Sequence, residues 1–150
     1  MHREKLMAYD KTSVSVSKSQ DGIRKLIMAR KGSKIAFISD PPREGFQAEV
    51  LIDNLPYSIR IFGVVEADTS SRTAKQRDNY IEQEHRRIWR VLFYHLKSVF
   101  EAADSGVMEF REIMLPYLIT GNGKTVAECL VPNLGKIISS STMLLLDNGQ

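Results

Sequence analysis

The hydrophobic pattern is most regular between Gln76 and Asp104, where the sequence predicts one long amphipathic helix. Apolar residues recur there at steps of three, four and seven, as expected along one side of a helix with about 3.6 residues per turn. A second apolar row lies beside the first, so we expect neighbouring elements to cover the helix on more than one side. Gly106 follows and is expected to end the helix. The first row is Ile81, Ile88, Leu92, Leu96, Val99 and Ala103, and the second is Trp89, Phe93, Leu96 and Phe100.

Three segments before this helix have the patterns of β-strands. Lys34–Ser39 is a short apolar run, and a loop is expected at residues 40–45, which contain two successive prolines. Phe46–Ile52 and Tyr57–Phe62 alternate apolar and polar residues, and the turn residues between them predict an antiparallel hairpin with one wet face. A three-stranded sheet with one apolar face needs a cover, which the long helix can provide.

Before the sheet, the sequence predicts a strand followed by a helix. Ser13–Ser17 alternates and therefore resembles a short strand. Ser17 or Ser19 is expected to cap the helix, and Gly32 to end it. The predicted buried residues of this helix are Ile23, Leu26 and Ile27.

After the long helix, only short elements are expected. Residues 107–115 predict a helix that ends before Pro116, and Tyr117–Thr120 predicts a short strand. Thr125 and Glu128 have the spacing of a capping box, which would open one further short helix. The first of these helices is expected to bury Val107, Phe110 and Met114.

Together these elements predict an α+β fold, with a small antiparallel sheet of three or four strands packed on one long central helix and short flanking helices. The chain of 150 residues is expected to form one domain over residues 13–138, with a loop at 66–79. Residues 1–12 are expected to be a flexible lead-in, and residues 139–150 a tail. Because Met143–Leu146 would be costly to expose, we expect this tail to pack on the domain or on another subunit.

The composition indicates a cytoplasmic protein without membrane contacts. No apolar run approaches the roughly 18 residues of a membrane span, and the N-terminus lacks the apolar region of a signal peptide. The single cysteine, Cys129, allows neither an internal disulfide nor a multi-cysteine metal site. A reducing compartment is therefore expected.

The net charge of +3 is unevenly distributed along the chain. Between Lys11 and Lys34 there are seven basic residues and one acidic residue, whereas from Ile35 onward twelve basic residues stand against fifteen acidic ones. A basic first third is compatible with an anionic partner such as nucleic acid.

The most distinctive group is Arg86-Arg87-x-Trp89-Arg90 in the long helix. Arginine binds phosphate through two parallel N–H donors, and tryptophan can stack on a base. Alternatively, Trp89 belongs to the apolar arc of the helix and the arginines pair with nearby acids. The phosphate hypothesis requires these arginines to share a face with the basic residues of the first helix. The acids available for pairing are Glu82, Glu84, Glu109 and Glu112, and the basic residues in question are Arg24, Lys25 and Arg30.

Other patterns do not support catalysis or metal binding. Glu82-x-x-His85 is half of a two-metal helical site, but the sequence contains no second copy. Gly121–Thr125 lacks the first glycine of a phosphate loop, since Leu118 occupies that position. Cys129 has no activating neighbour in the sequence, and Ser139–Ser141 lacks the glycines of a nucleophile elbow. We therefore expect a protein that is not an enzyme and needs no cofactor or metal.

The long helix and the segment after it resemble a family of small proteins of bacteriophages, prophages and related mobile elements. The resemblance covers roughly residues 13–136. It departs at residues 40–44 and at residues 93–95, and at 93–95 the relatives look more aliphatic. The family has no established activity, so the resemblance implies an accessory role in a bacterial host and assigns no catalytic residue. The matching positions are Arg86, Arg87, Trp89, Arg90, Lys97, Glu101, Gly106, Phe110, Thr125, Val126 and Glu128.

Three functional hypotheses follow from the sequence. The first is a non-enzymatic phage or mobile-element protein that binds nucleic acid during replication or recombination. The second is an inhibitor that binds a host protein complex, such as a restriction or CRISPR system. The third is a homo-oligomeric structural or small-ligand-binding protein, joined through its C-terminal tail. For the first hypothesis, the candidate contacts are Arg24, Lys25, Arg30, Lys31, Arg86, Arg87 and Arg90.

Overall fold

A computed structural model of the chain describes residues 7–65, 70 and 73–138, which form an α+β fold. A three-stranded antiparallel sheet packs on a helix of 31 residues, with shorter helices before and after it. The predicted fold class is therefore confirmed. The elements are α1 (Val16–Ala29), β1 (Ile35–Asp40), β2 (Arg43–Ile52), β3 (Leu55–Val64), α2 (Ala74–Asp104), α3 (Phe110–Met114), α4 (Val126–Leu130) and α5 (Leu134–Ile137), with 3-10 helices at Leu115–Tyr117 and Val131–Asn133.

The sheet has the order β1-β2-β3, with both pairs antiparallel. Asp53 and Asn54 join β2 to β3 with positive φ angles of 51° and 65°, as a two-residue hairpin turn requires. The predicted hairpin is confirmed, although both strands are longer than expected. The loop expected at residues 40–45 is reduced to Pro41 and Pro42, because Asp40 and Arg43 are already paired across the β1–β2 turn.

The N-terminal strand expected at Ser13–Ser17 is wrong, because α1 begins within it at Val16. Ser15 is the actual N-cap, and its hydroxyl accepts a hydrogen bond from the Lys18 amide at 3.2 Å. Ser19, which was a predicted cap, is instead buried one turn inside the helix.

The helix α2 begins earlier than its apolar pattern indicates. The Thr73 hydroxyl accepts from the Gln76 amide, and the Gln76 side chain accepts from the Thr73 amide, so the two residues form a capping box. The helix therefore includes residues 74–75, which precede the predicted start at Gln76, and residues 76–79, which the expected loop also covered. Gly106, at a positive φ of 73°, follows the last turn as predicted.

The core lies between the inner face of the sheet, α1 and α2. Most of the predicted apolar rows of α2 are buried, but Ile81 is 38% exposed. Glu84, predicted only as a partner for the arginines, is buried. The fully enclosed side chains include Phe46, Val50 and Ile59 of the sheet, Ile23 and Ile27 of α1, and Leu96 of α2.

The segment after α2 differs from expectation in two details and agrees in a third. Val107 is exposed, because α3 begins only at Phe110, where the Glu109 carboxylate caps it. The predicted strand at residues 117–120 is reduced to isolated bridges at Leu118 and Ile119, which follow a 3-10 helix. Thr125 caps α4 as predicted, accepting from the Glu128 amide at 3.1 Å.

The predicted C-terminal tail and part of the predicted lead-in lie outside the residues that the structure describes. The tail at 139–150 lies outside the described residues, as do residues 1–6 of the lead-in. Within the described part of the lead-in, Gln83 of α2 donates hydrogen bonds to the carbonyl oxygens of Asp10 and Thr12, at 3.2 and 2.8 Å. This segment therefore lies against α2.

Candidate functional site

Two of the three arginines in the distinctive cluster are paired with acids of their own helix. Arg86 Nη2 lies 2.8 Å from Glu82 Oε1, a pair on the helix surface. Arg87 makes two donor contacts to the Glu84 carboxylate, with Nε at 3.1 Å from Oε1 and Nη2 at 3.1 Å from Oε2. Because Glu84 is buried, Arg87 is the counter-charge that compensates its carboxylate inside the protein. Arg86 and Arg87 therefore both form ion pairs within α2.

Trp89 belongs to the core and is 3% exposed. Its indole Nε1 donates to Glu44 Oε2 of β2 at 2.9 Å, and its ring meets the Phe37 ring edge-on. The Trp89 ring therefore has no free face on which a base could stack. This placement corresponds to the alternative interpretation of the cluster, in which Trp89 is structural.

Arg90 differs from its two neighbours because its guanidinium reaches another helix. Its Nη2 donates to the buried Ser19 hydroxyl of α1 at 3.0 Å. The same guanidinium lies 4.7 Å from the ring centroid of Phe93 and 5.3 Å from that of Tyr94. Within the described residues, Arg90 is paired with no carboxylate, so its charge is not neutralised.

Arg30, another predicted contact, holds the end of α1 in place. Its guanidinium donates to the Phe100 carbonyl oxygen at 3.2 Å and pairs with the Asp104 carboxylate. It also lies 4.6 Å from the ring centroids of both Phe100 and Phe110. Arg30 thus joins α1, α2 and α3. Lys31 follows it and is exposed beside a pocket of about 480 Å³ whose lining carries charges of both signs.

The two helices run side by side in the same direction. Ser19 of α1 meets Arg90 of α2, and eleven residues later Arg30 meets Phe100. Between these contacts, Gly22 allows the close approach, because a Cβ there would lie 2.7 Å from the Phe93 ring.

This packing decides which basic residues of α1 lie beside α2. Lys18 and Lys25 are four residues before and three residues after Gly22, so both neighbour it on the helix surface. They are exposed on the side of α1 that faces Phe93. Arg24, in contrast, lies over the Phe37 ring of β1, on the other side of the helix. Of the predicted contacts on α1, Lys25 therefore lies on the face next to Gly22, which packs on α2, whereas Arg24 lies on another face.

An exposed pair of tyrosines lies on the same side. Tyr9 and Tyr94 stack with ring centroids 5.1 Å apart and an interplanar angle of 8°, and they are 41% and 38% exposed. Lys97 Nζ lies 5.9 Å from the Tyr94 centroid and 3.7 Å from the Glu101 carboxylate. We call this surface the Tyr94 flank, and it consists of Lys18, Lys25, Arg90, Lys97, Tyr9 and Tyr94.

Sequence reasoning missed four members of the Tyr94 flank: Lys18, Lys97, Tyr9 and Tyr94. A local signal for part of it existed, because Arg90, Tyr94 and Lys97 follow one another at steps of four and three and so share a face of α2. No such signal existed for Tyr9, which is 85 positions away from its stacking partner.

A second polar cluster surrounds Glu44, a buried carboxylate on β2. Its Oε2 accepts from Trp89 Nε1 at 2.9 Å and lies 3.0 Å from His85 Nδ1, and its Oε1 accepts from the Ser39 hydroxyl at 3.3 Å. The cluster borders a pocket of about 260 Å³ that Pro41 and other apolar residues also line. His85 therefore binds Glu44 rather than joining Glu82 in a metal site. Among the described residues, no group of three or more potential metal ligands comes together.

The fold and this surface describe an α+β domain with a cationic and aromatic flank between two helices. No family model, curated protein or solved structure matches the chain. The resemblance to phage proteins therefore stays a prediction. None of the helices in the described ranges is long and apolar enough to cross a lipid bilayer.

Proposed function

We propose that the protein is a non-enzymatic accessory protein of a phage or mobile element that binds nucleic acid through the Tyr94 flank. The supporting observation is that Lys18 and Lys25 are exposed on the face of α1 next to Gly22, which packs on Phe93 of α2. Within the described residues, neither lysine is ion-paired, and Arg90 of α2 is not ion-paired either. Unpaired cations on one side of a domain attract a polyanion, because binding releases the counterions condensed on its phosphates.

The expected binding is electrostatic and depends little on base sequence. Lysine and arginine contacts to phosphate fix the position of the backbone but carry no sequence information. Each phosphate contact should contribute about −0.7 to −0.9 to the slope of log K against log salt concentration. A protein with three or four contacts should therefore bind weakly at physiological salt and more tightly at low salt.

Fluorescence anisotropy with labelled oligonucleotides over a range of salt concentrations tests the proposal. The double variant Lys18→Gln/Lys25→Gln should bind more weakly and lower the magnitude of the salt slope by about 1.4 to 1.8. The matched control is Lys124→Gln/Lys136→Gln, which removes the same charge from exposed positions beside α4 and α5. Equal losses in the two double variants, or no binding by the unmodified protein at low salt, would refute the proposal.

A second candidate function, protein binding, is favoured by apolar side chains on the C-terminal helices. When the described residues alone are considered, Leu130, Val131, Leu134, Ile137 and Ile138 are each more than a third exposed. Apolar residues grouped in this way are typical of protein contacts. Light scattering on nuclease-treated protein, with Leu134→Glu as the test variant and Lys136→Glu as its control, distinguishes self-association from a monomer. A monomeric unmodified protein would exclude self-association through these helices.

A further inference from the structure

We infer that the Tyr9–Tyr94 stack is a base-stacking platform and that the nucleic acid bound by the Tyr94 flank is single-stranded. This inference rests on the proposed function and specifies its ligand. It arises from the position of the two aromatic rings, whereas the proposed function itself depends on the charges around them.

The first supporting observation is the exposure of the stack. The two rings are nearly parallel, so each covers one face of the other, yet Tyr9 remains 41% exposed. We place the base on the face of Tyr9 that points away from Tyr94. A free face of this kind accepts any base, because every base has a π surface and stacking on aromatic side chains tolerates different sequences.

The second observation is the unusual backbone conformation of Tyr9. Tyr9 has a φ of 60°, a region that residues with a side chain seldom occupy. The turn around it is closed by the Asp10 amide on the Met7 carbonyl oxygen and by the Thr12 amide on the Tyr9 carbonyl oxygen. Gln83 of α2 binds the carbonyl oxygens of Asp10 and Thr12. The ring is thus positioned before any ligand arrives, which lowers the entropy lost on binding.

The third observation is the charge around the rings. Arg90 lies 5.3 Å and Lys97 5.9 Å from the Tyr94 centroid. Lys18 and Lys25 lie on the adjacent side of α1. A single strand can place its bases on the rings and its phosphates on these cations at the same time. In a duplex the base faces are already stacked on one another, so the rings gain nothing from it.

The test compares full-length protein and variants on an oligothymidine of about 20 nucleotides and on a mixed-sequence duplex of equal length. Tyr9→Leu should weaken binding to the single strand by about 5- to 150-fold, the effect expected for one lost base stack. Its affinity for the duplex and its salt slope should not change, because no charge is removed. Tyr9→Phe keeps the ring and should bind like the unmodified protein, which separates stacking from a role of the hydroxyl.

A spectroscopic measurement reports stacking directly. A single 2-aminopurine placed in the strand loses fluorescence when its base stacks on an aromatic ring. Binding by the unmodified protein and by Tyr9→Phe should quench this fluorescence, whereas saturating Tyr9→Leu should not. Thermal unfolding of each variant checks that the domain itself is unaffected.

The outcomes separate this inference from the proposed function. Equal affinity for single strand and duplex, with no effect of Tyr9→Leu on either, would overturn the stacking inference and leave electrostatic binding intact. Failure of both oligonucleotides to bind at low salt would overturn the proposed function and the inference with it. Tight binding to the single strand that falls with Tyr9→Leu and returns with Tyr9→Phe supports both.

Discussion

The Glu44 carboxylate makes the most specific stability prediction, because it joins β2 to α2 inside the core. It accepts a hydrogen bond from Trp89 Nε1 at 2.9 Å, and its Oε2 lies 3.0 Å from His85 Nδ1. In Glu44→Ala, the buried Trp89 N–H loses its acceptor, which should cost about 1–3 kcal/mol of unfolding free energy. His85 is partly exposed and can turn to water, so its contribution should be small.

The size of this effect can be separated from the loss of packing. Glu44→Gln keeps one carbonyl oxygen that can accept from Trp89, so it should cost less than Glu44→Ala. The control is Glu82→Ala, which removes an exposed carboxylate from the surface of α2 and should lower the unfolding free energy by less than about 1 kcal/mol. Urea unfolding followed by far-ultraviolet circular dichroism gives all three values without relying on the fluorescence of Trp89.

A double-mutant cycle decides whether the hydrogen bond itself is responsible. Trp89→Phe removes the N–H donor, and the cycle of Glu44→Ala with Trp89→Phe should give a coupling energy of about 0.5–3 kcal/mol. A coupling energy near zero would show that the contact contributes nothing. The reasoning would also be refuted if Glu44→Ala lowered the unfolding free energy by no more than Glu82→Ala does. Removing the buried charge of Glu44 would then stabilise the protein by at least as much as the lost hydrogen bond destabilises it.

Three further predictions concern single positions. Gly45→Ala should lower the unfolding free energy, measured by thermal unfolding, by about 3 kcal/mol or more, because the new Cβ would lie 1.9 Å from the Ile61 carbonyl oxygen of β3. The control is Gly135→Ala, because a Cβ at Gly135 would have no atom within 4 Å. Burial raises the pKa of Tyr117 above its ordinary value of 10.0, so an ultraviolet titration should show a late-ionising tyrosine that Tyr117→Phe removes. The contribution of the protonated Tyr117 hydroxyl to the unfolding free energy is complete below the ordinary pKa and is lost as pH rises through the higher pKa of the folded state. Thr125→Ala should lower the urea midpoint, corresponding to about 1 kcal/mol for the α4 cap, and an unchanged midpoint would contradict this role.

The sequence predicted the parts of the fold whose burial is periodic. The apolar rows of α2 and the alternation in β2 and β3 were sufficient, because each element has one face on a common core. The first two residues of α2, Ala74 and Lys75, were missed because residues 74–79 carry no apolar row to follow. A polar signal was nevertheless present, since Thr73 and Gln76 have the spacing of a capping box.

Short and long-range features were harder to predict for different reasons. Over the five residues Ser13–Ser17, alternation cannot be told from a capped helix start, and the hydroxyl of Ser15 favours the cap. The burial of Glu44 could not be predicted, because its partner Trp89 is 45 positions away. The Tyr9–Tyr94 stack depends in the same way on a contact between distant segments.

The arginines in the middle of α2 show why similar residues have unequal value for binding. A phosphate that took Arg87 would leave the buried Glu84 carboxylate unpaired, and an uncompensated buried charge costs several kcal/mol. Arg90 compensates no buried carboxylate, because its partners are the neutral Ser19 hydroxyl and aromatic rings. A phosphate can therefore approach Arg90 without leaving another charge buried. The α2 side of a nucleic-acid interface should accordingly run from Arg90 towards Lys97, away from Arg87.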